Sequence, residues 1–354
     1  MIEQLTNKAI ELLQQLIETP SFSTEEDKTA QLIENWFKQY AIPFERENNN
    51  IWAYNKHFHE SKPTILLNSH HDTVKPNGNY TNDPFKAFVQ DGKLFGLGSN
   101  DAGGCLVSLM ATFTHFYHQE DLKYNFVIVA SAEEENSGPL GLKSVLKYFE
   151  NVEFAIVGEP TLMQLAVAEK GLLVLDVSIN GTSSHAAHPN DDNSIYNALE
   201  VIEWFKNYQF KKESDTLGEV KMTITQVNAG NQHNVVPSHC DLVVDIRVND
   251  KYKNEEVLEI VKKAMPKNVN VKPRSLDLGS SSIPVEHPIV KSGVALGRTT
   301  YGSPTLSDQS VLSCPSLKLG PGDSTRSHSA NEFIYINEIK EGIVLYIKIL
   351  EGIV

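Results

Sequence analysis

Residues 68–72 read Asn-Ser-His-His-Asp and follow a short apolar run at 64–67. Beyond a buried strand, alternate residues face the same way, which puts His70 and Asp72 side by side. A carboxylate that orients a histidine makes it a more basic metal ligand, although the same pair on a surface is an ordinary hydrogen bond. A second apolar run, residues 126–130, is followed directly by Glu133, Glu134 and Glu135. Adjacent carboxylates repel one another, and burial makes that worse. Two divalent cations would offset the repulsion, with Glu135 as a ligand and Glu134 left to take a proton from water; a solvated acidic loop is the alternative. Asp101 lies in a glycine-rich turn, Gly-Leu-Gly-Ser-Asn-Asp-Ala-Gly-Gly at 96–104, just before a helical pattern. It reads either as an N-cap or as a carboxylate shared by two cations. The turn has no GxGxxG or Walker spacing, so it does not read as a phosphate cradle. Glu159 follows a third apolar run at 154–158, with Pro160 stiffening the turn, and His328 stands in Arg-Ser-His-Ser-Ala-Asn-Glu-Phe near the end. A mixed nitrogen and oxygen set of this kind suits zinc, cobalt or manganese, whereas calcium prefers oxygen throughout.

These residues converge only if the elements between them place them on one rim. The three apolar runs alternate with helical patterns such as residues 103–118. That alternation predicts an α/β fold built on a mostly parallel sheet with helices on both faces. Ligands of such sheets bind beyond the carboxyl ends of the strands, where each of the three runs carries polar residues. From residue 171 the rhythm becomes β-α-β-β-α-β, the ferredoxin-like split unit. We expect residues 171–276 to be an inserted domain, with 1–170 and 277–354 forming the metal-binding domain. The insert carries His185, His188, His233, Asn234 and Arg247. Arg247 suits a substrate carboxylate through paired hydrogen bonds, and His185 or Asn234 could donate to a developing oxyanion. Surface hydrogen bonding accounts for each of them equally well.

The chain has 354 residues, which favours two domains, and its composition is that of a globular protein, 40% hydrophobic and 21% charged. A formal charge of −14 argues against nucleic acid or an anionic membrane as a partner. Three scattered cysteines, Cys105, Cys240 and Cys314, form no CxxC motif and fit a reducing cytoplasm. Leu5, Ala9, Leu12, Leu13 and Leu16 recur at helical spacing in an amphipathic N-terminal helix that is no signal peptide. The apolar C-terminal segment is interrupted by Glu338, Lys340, Glu341, Lys348 and Glu351, so it reads as a core-packed helix and not as a membrane span.

Taken in order, the motifs SHHDTV, GSNDAGG, SAEEENSG, VGEPT, GTSSHAAHP, NVVP and HSANEF run along nearly the whole chain. With them the sequence resembles the two-metal amidohydrolase and metallopeptidase family that includes acetylornithine deacetylase, succinyl-diaminopimelate desuccinylase and carboxypeptidase G. The resemblance implies a zinc-aminopeptidase-like catalytic domain holding two divalent cations, Zn2+ first, with Co2+ or Mn2+ as substitutes. It implies His70, Asp101 and Glu159 around one cation, and Asp101, Glu135 and His328 around the other. Glu134 becomes the general base and Asp72 the partner that orients His70. The inserted domain becomes the seat of a homodimer, His185 reaches a neighbouring subunit's site, and Asn234 and Arg247 grip the substrate carboxylate. A sharp bend after Asp101, through a cis peptide, is also implied.

The chain departs from the family pattern at three places. Leu97 replaces an arginine, Ala102 and Gly103 stand where methionine and lysine are common, and Glu133 replaces an aspartate. None of these removes an implied ligand. The VGEPT and HSANEF motifs look most like the acetylornithine deacetylase branch. The expected reaction is therefore hydrolysis of a small N-acyl amino acid, N-acetylornithine first, which would place the protein in arginine biosynthesis. N-acetylcitrulline, N-succinylated ornithine or citrulline, N-acetyl-lysine and small peptides are the alternative substrates. A non-catalytic binding protein of the same fold is the alternative from another class.

Overall fold

In a computed structural model that describes residues 2–354, the three apolar runs lie at the centre of one sheet. Strand Thr64–His70 sits between Asn125–Ser131 and Val152–Val157 and pairs parallel to both. Every residue of the first two is buried, which is why their sequences show no polar alternation. Ser316–Lys318 extends the parallel set beyond Val152–Val157. Antiparallel strands finish both sides: Asn50–Tyr54 and Glu45–Glu47 beyond Asn125–Ser131, and Leu165–Glu169 beyond Ser316–Lys318.

Successive side chains of the central strands feed two separate cores, as the pleat requires. Ile65, Leu67, Phe126 and Ile128 join the larger core, with Leu13, Phe113 and Ile343 from helices Ile2–Ile17, Gly104–Phe116 and Ile336–Glu351. Leu66, Val127, Val129 and Ala155 face the other way, onto Leu142, Val145 and Phe149. Helix Gly104–Phe116 is buried almost all round, and its Ser108 and Thr112 hydroxyls donate to carbonyls four residues back. The interior thus gains no orphaned hydroxyl there. Among the described residues no helix is long and apolar enough to cross a membrane.

The chain packs as two units. One runs through Val167 and resumes over Ser282–Tyr301 and Ser307–Val354; the other is Ala168–Ser281 with Gly302–Leu306. In the second unit strands Gly171–Asn180, Lys221–Ala229, His239–Val248 and Val269–Pro273 alternate with helices Ser194–Asn207 and Asn254–Ala264. The sheet is antiparallel, in the order Lys221–Ala229, His239–Val248, Gly171–Asn180, Val269–Pro273. Leu173, Leu175, Val177 and Ile179 point to one side and pack with Val201, Phe205, Val257 and Val261 of the two helices. The return segment Gly302–Leu306 groups with this unit, and Lys170 donates its backbone N–H to the Ser303 carbonyl there. Gly302 also passes so close to Thr216 that a Cβ would lie 2.4 Å from that carbonyl oxygen.

A small three-stranded sheet has no counterpart in the sequence pattern. Phe88–Gln90, Lys93–Phe95 and Phe333–Tyr335 pair antiparallel, with Phe88 stacked on Phe95. It anchors the segment that carries His328.

Candidate metal centre

His70 ends the central strand and is 1% exposed. Its Nδ1 lies 3.1 Å from the Asp72 carbonyl and 3.3 Å from Asp72 Oδ1, while Nε2 lies 3.4 Å from Asp101 Oδ1. Asp72 is itself buried. It accepts from Ser23 Oγ at 2.7 Å and from the backbone N–H groups of Glu134 and Glu135, both at 3.1 Å. One carboxylate therefore aims the histidine and fixes the glutamate turn; the sequence pointed only to the first role.

The three adjacent glutamates do not share one space. Glu133 takes a left-handed backbone conformation (φ 53°), and its carboxylate turns back to accept the Leu140 N–H. Its own N–H donates to Glu26, a fully buried carboxylate that also accepts from Thr24 and Asn49. Glu135 instead accepts from His328 Nε2 at 2.9 Å, and Glu134 Oε2 stands 3.9 Å from His70 Nε2. The replacement of aspartate by Glu133 thus falls on a residue that braces the turn.

Asp101 sits between the two histidines. Its Oδ1 faces His70, and its Oδ2 lies 3.7 Å from His328 Nε2. The Asp101–Ala102 peptide is cis. The helix that follows has no side-chain cap bond at its start, so the capping alternative for Asp101 falls away. Gly98 is left-handed (φ 76°), and a Cβ on Gly103 would lie 2.5 Å from the Gly98 carbonyl oxygen, so this turn needs both glycines. Glu159 Oε1 completes the cluster 3.8 Å from His70 Nε2.

His70, Asp101 and Glu159 offer ligand atoms within 4.8 Å of one another, and Asp101, Glu135 and His328 do the same. Asp101 belongs to both groups. Burial pushes the Glu134 carboxyl well above its usual range and the Glu159 carboxyl up to about 8. Burial opposes charging His70, yet the Asp101 and Asp72 carboxylates beside it outweigh that and hold its pKa well above an ordinary imidazole. The hydrogen bond to Glu135 raises His328 to about 9. The raised Glu134 and Glu159 carboxyls and two histidines that draw protons mark a strongly anionic site, whose charge divalent cations would offset. The donor set fits two divalent cations: each group has one imidazole and two carboxylates, and the shared carboxylate turns one oxygen to each histidine.

The other three sequence candidates lie on the second unit. His185 pairs with Val235 across a two-residue ladder, and its Nδ1 accepts the Ala187 N–H at 3.1 Å, which leaves the ring proton on Nε2. Asn234 accepts the Ala186 N–H through its backbone carbonyl oxygen. Arg247 donates from Nε and Nη2 to Asp245 at 2.9 and 3.1 Å, so a substrate carboxylate would share this guanidinium with Asp245.

A model of peptidase family M20/M25/M40 matches residues 66–352. The chain belongs to that family. An acetylornithine deacetylase of Buchnera aphidicola is 26% identical over 360 residues, covering 94% of each chain. A succinyl-diaminopimelate desuccinylase of Rickettsia felis is 27% identical over 283 residues, covering 72% of this chain and 73% of the relative. Among solved structures, the aminopeptidase PepT of Bacillus cereus superposes with a TM-score of 0.78 at 18% identity over 100% of this chain and 99% of that one. A dinuclear metal-binding M20 peptidase of Bacillus subtilis does so with a TM-score of 0.76 at 16% identity, over 98% of each. The chain is a metal-dependent amidohydrolase. The binding-only alternative is set aside.

Two buried carboxylates of the site escaped the sequence reading. Asp308 accepts from Ser131 Oγ at 2.5 Å, and burial raises it to about 6. Glu332 accepts backbone N–H groups from the turn that carries Asp101. Asp308 has no local signal. Glu332 stands inside HSANEF, four residues after His328, and could have been noticed there.

Proposed function

We propose that the protein hydrolyses the amide bond of a small N-acyl amino acid, with N-acetylornithine as substrate and arginine biosynthesis as its setting. The observation that carries this reading is the placement of Glu134. It stands 3.9 Å from His70 yet belongs to neither ligand group, a free carboxylate beside a double cation site. Acetylornithine deacetylase relatives aligning over 94% of the chain support the acetyl-ornithine assignment. The desuccinylase relatives keep the succinyl group as the second reading.

His70, Asp101 and Glu159 would hold one cation and Asp101, Glu135 and His328 the other, zinc by preference, with cobalt or manganese acceptable to the same donors. When bound, the cations supply the Lewis acidity that polarises the acyl carbonyl and acidifies water. Asp72 holds Nδ1 of His70 so that Nε2 faces the site. Glu134 takes the proton of the attacking water and passes it to the amine as the C–N bond breaks. His185, protonated at Nε2, donates to the oxyanion, and Asn234 and Arg247 receive the substrate carboxylate. Assaying zinc- or cobalt-loaded protein against acetyl- and succinyl-ornithine, acetyl- and succinyl-citrulline, acetyl-lysine and dipeptides should give the highest kcat/KM on acetylornithine. Faster turnover of a succinyl substrate moves the assignment to desuccinylation, and turnover of dipeptides alone overturns the deacylase reading.

We further propose a homodimer formed through the second unit, in the reducing cytoplasm; all three cysteines are free thiols. Strand Lys221–Ala229 lies at the end of its sheet with His239–Val248 as its partner, and it exposes Val227. The neighbouring helix exposes Tyr196 (70%) and Leu199 (62%). An open strand edge flanked by apolar side chains is suited to pairing with a second copy about a two-fold axis. If His185 serves the partner's site, mixing His185→Ala with Glu134→Gln should restore part of the activity that each variant lacks. Absence of recovery, with subunit exchange verified by native mass spectrometry, excludes the sharing.

A further inference from the structure

We infer that Glu332 is a positioning residue for the metal pair: its carboxylate sets the backbone of the turn that presents the bridging ligand Asp101. Glu332 is 2% exposed. Its Oε1 accepts the N–H groups of Asn100 at 2.8 Å and Asp101 at 2.9 Å, and its Oε2 accepts the Gly98 N–H at 3.1 Å. Among the described residues these three amides are the only hydrogen-bond partners of the carboxylate. Burying a carboxylate without a cationic partner is costly, and water could serve amide groups at a turn equally well. What a carboxylate adds is a rigid fork. Two oxygens of fixed separation hold three N–H groups in one arrangement, and the last of them belongs to the residue whose side chain faces both histidines. Both oxygens point at backbone, so Glu332 is no candidate for the proton-transfer base.

The same segment carries a ligand for one cation. His328 lies four residues before Glu332. Its carbonyl accepts from Asn77 Nδ2, and Asn331 Oδ1 accepts the N–H groups of Thr81 and Asn82. Immediately after Glu332, strand Phe333–Tyr335 pairs with Lys93–Phe95, and the Gly96 N–H donates to the Glu332 carbonyl. Residues 328–332 therefore deliver His328 and at the same time clasp the Asp101 turn, so a shift of this segment moves ligands of both cations together. Asn100 adds a clasp from a third segment, accepting the Asp323 N–H at 3.0 Å and donating to the Asp323 carbonyl at 3.1 Å.

This inference rests on the two-cation reading, and calorimetric titration of metal-free protein with Zn2+ or Co2+ separates the two. Wild type that binds no cation sinks the two-cation reading itself. Given two cations in wild type, Glu332→Gln should weaken binding ~10–100-fold, as loss of an outer partner of a metal ligand does. The visible spectrum of the Co2+ form should change with it. Glu332→Asp, which keeps the charge but shortens the reach, should fall between the two. If Glu332→Gln melts at a lower temperature yet binds both cations with wild-type affinity and an unchanged cobalt spectrum, Glu332 only supports the fold and the inference is wrong. Should both variants fail to fold, amide exchange in the metal-loaded wild type decides: the N–H groups of Asn100 and Asp101 must exchange slowly, and fast exchange there overturns the inference.

Discussion

Glu134→Gln is expected to fold, to bind both cations and to lose ~10²–10⁴ in turnover, the range that removing a positioned acid or base commonly costs. The expectation comes from how the residue is held. Its backbone N–H is fixed by Asp72, and the left-handed Glu133 before it starts the turn, so the amide replaces the carboxylate in the same position. Its side chain lies in neither ligand group, so the cations keep all of their donors. Glutamine cannot take a proton from water or hand one to a leaving amine. The checks are kcat on the best substrate and metal content by elemental analysis of the same sample. Turnover within a few-fold of wild type at full occupancy would falsify the assignment of Glu134 as base, whereas a parallel loss of metal would make it a ligand instead.

The central strands were legible because their signal is local, whereas the five ligands proposed here came from the family resemblance, and the fold brings them together. A buried parallel strand reads as an apolar run, here Ile65 to Leu67 and Phe126 to Ala130, and its polar residues gather toward the carboxyl end, at Asn68 to His70 and Ser131. The β-α-β-β-α-β rhythm of the second unit was legible for a similar reason: Leu173, Leu175, Val177 and Ile179 alternate with outward residues on a half-exposed sheet. Two things were not legible. The Phe88–Gln90 and Lys93–Phe95 hairpin is three residues a side, too short for a period to show, and it is held by the distant strand Phe333–Tyr335. The outer carboxylates Glu26 and Asp308 act on backbone or hydroxyl groups 107 and 177 residues away, and no spacing rule reaches so far. The glutamate triplet shows the same limit from the other side. Sequence poses three adjacent charges as one problem, and the fold divides them: Glu133 turns back to the Leu140 amide, Glu134 faces His70 and Glu135 faces His328.

Asp101→Asn is expected to lower the affinity for both cations together, by at least the ~10–100-fold that losing an outer partner costs, since here a ligand itself is altered. Asn keeps the size and one oxygen, but the second position becomes an NH2 donor, which cannot serve a cation. In the native side chain one oxygen faces His70 and the other His328, so whichever way the amide turns, one cation loses its shared ligand. The other then loses the charge that held the pair close together. Replacing ligands that serve one group only provides the contrast. Glu159→Gln and His328→Ala should each weaken one cation and leave the second, because Glu159 and His328 belong to different groups. Counting bound zinc by calorimetry across the three variants reads this pattern directly: one weakened site for each single-group variant, two for Asp101→Asn. If Asp101→Asn weakens one site alone, as Glu159→Gln does, the carboxylate is not shared, and two separate mononuclear sites would have to replace the bridged pair.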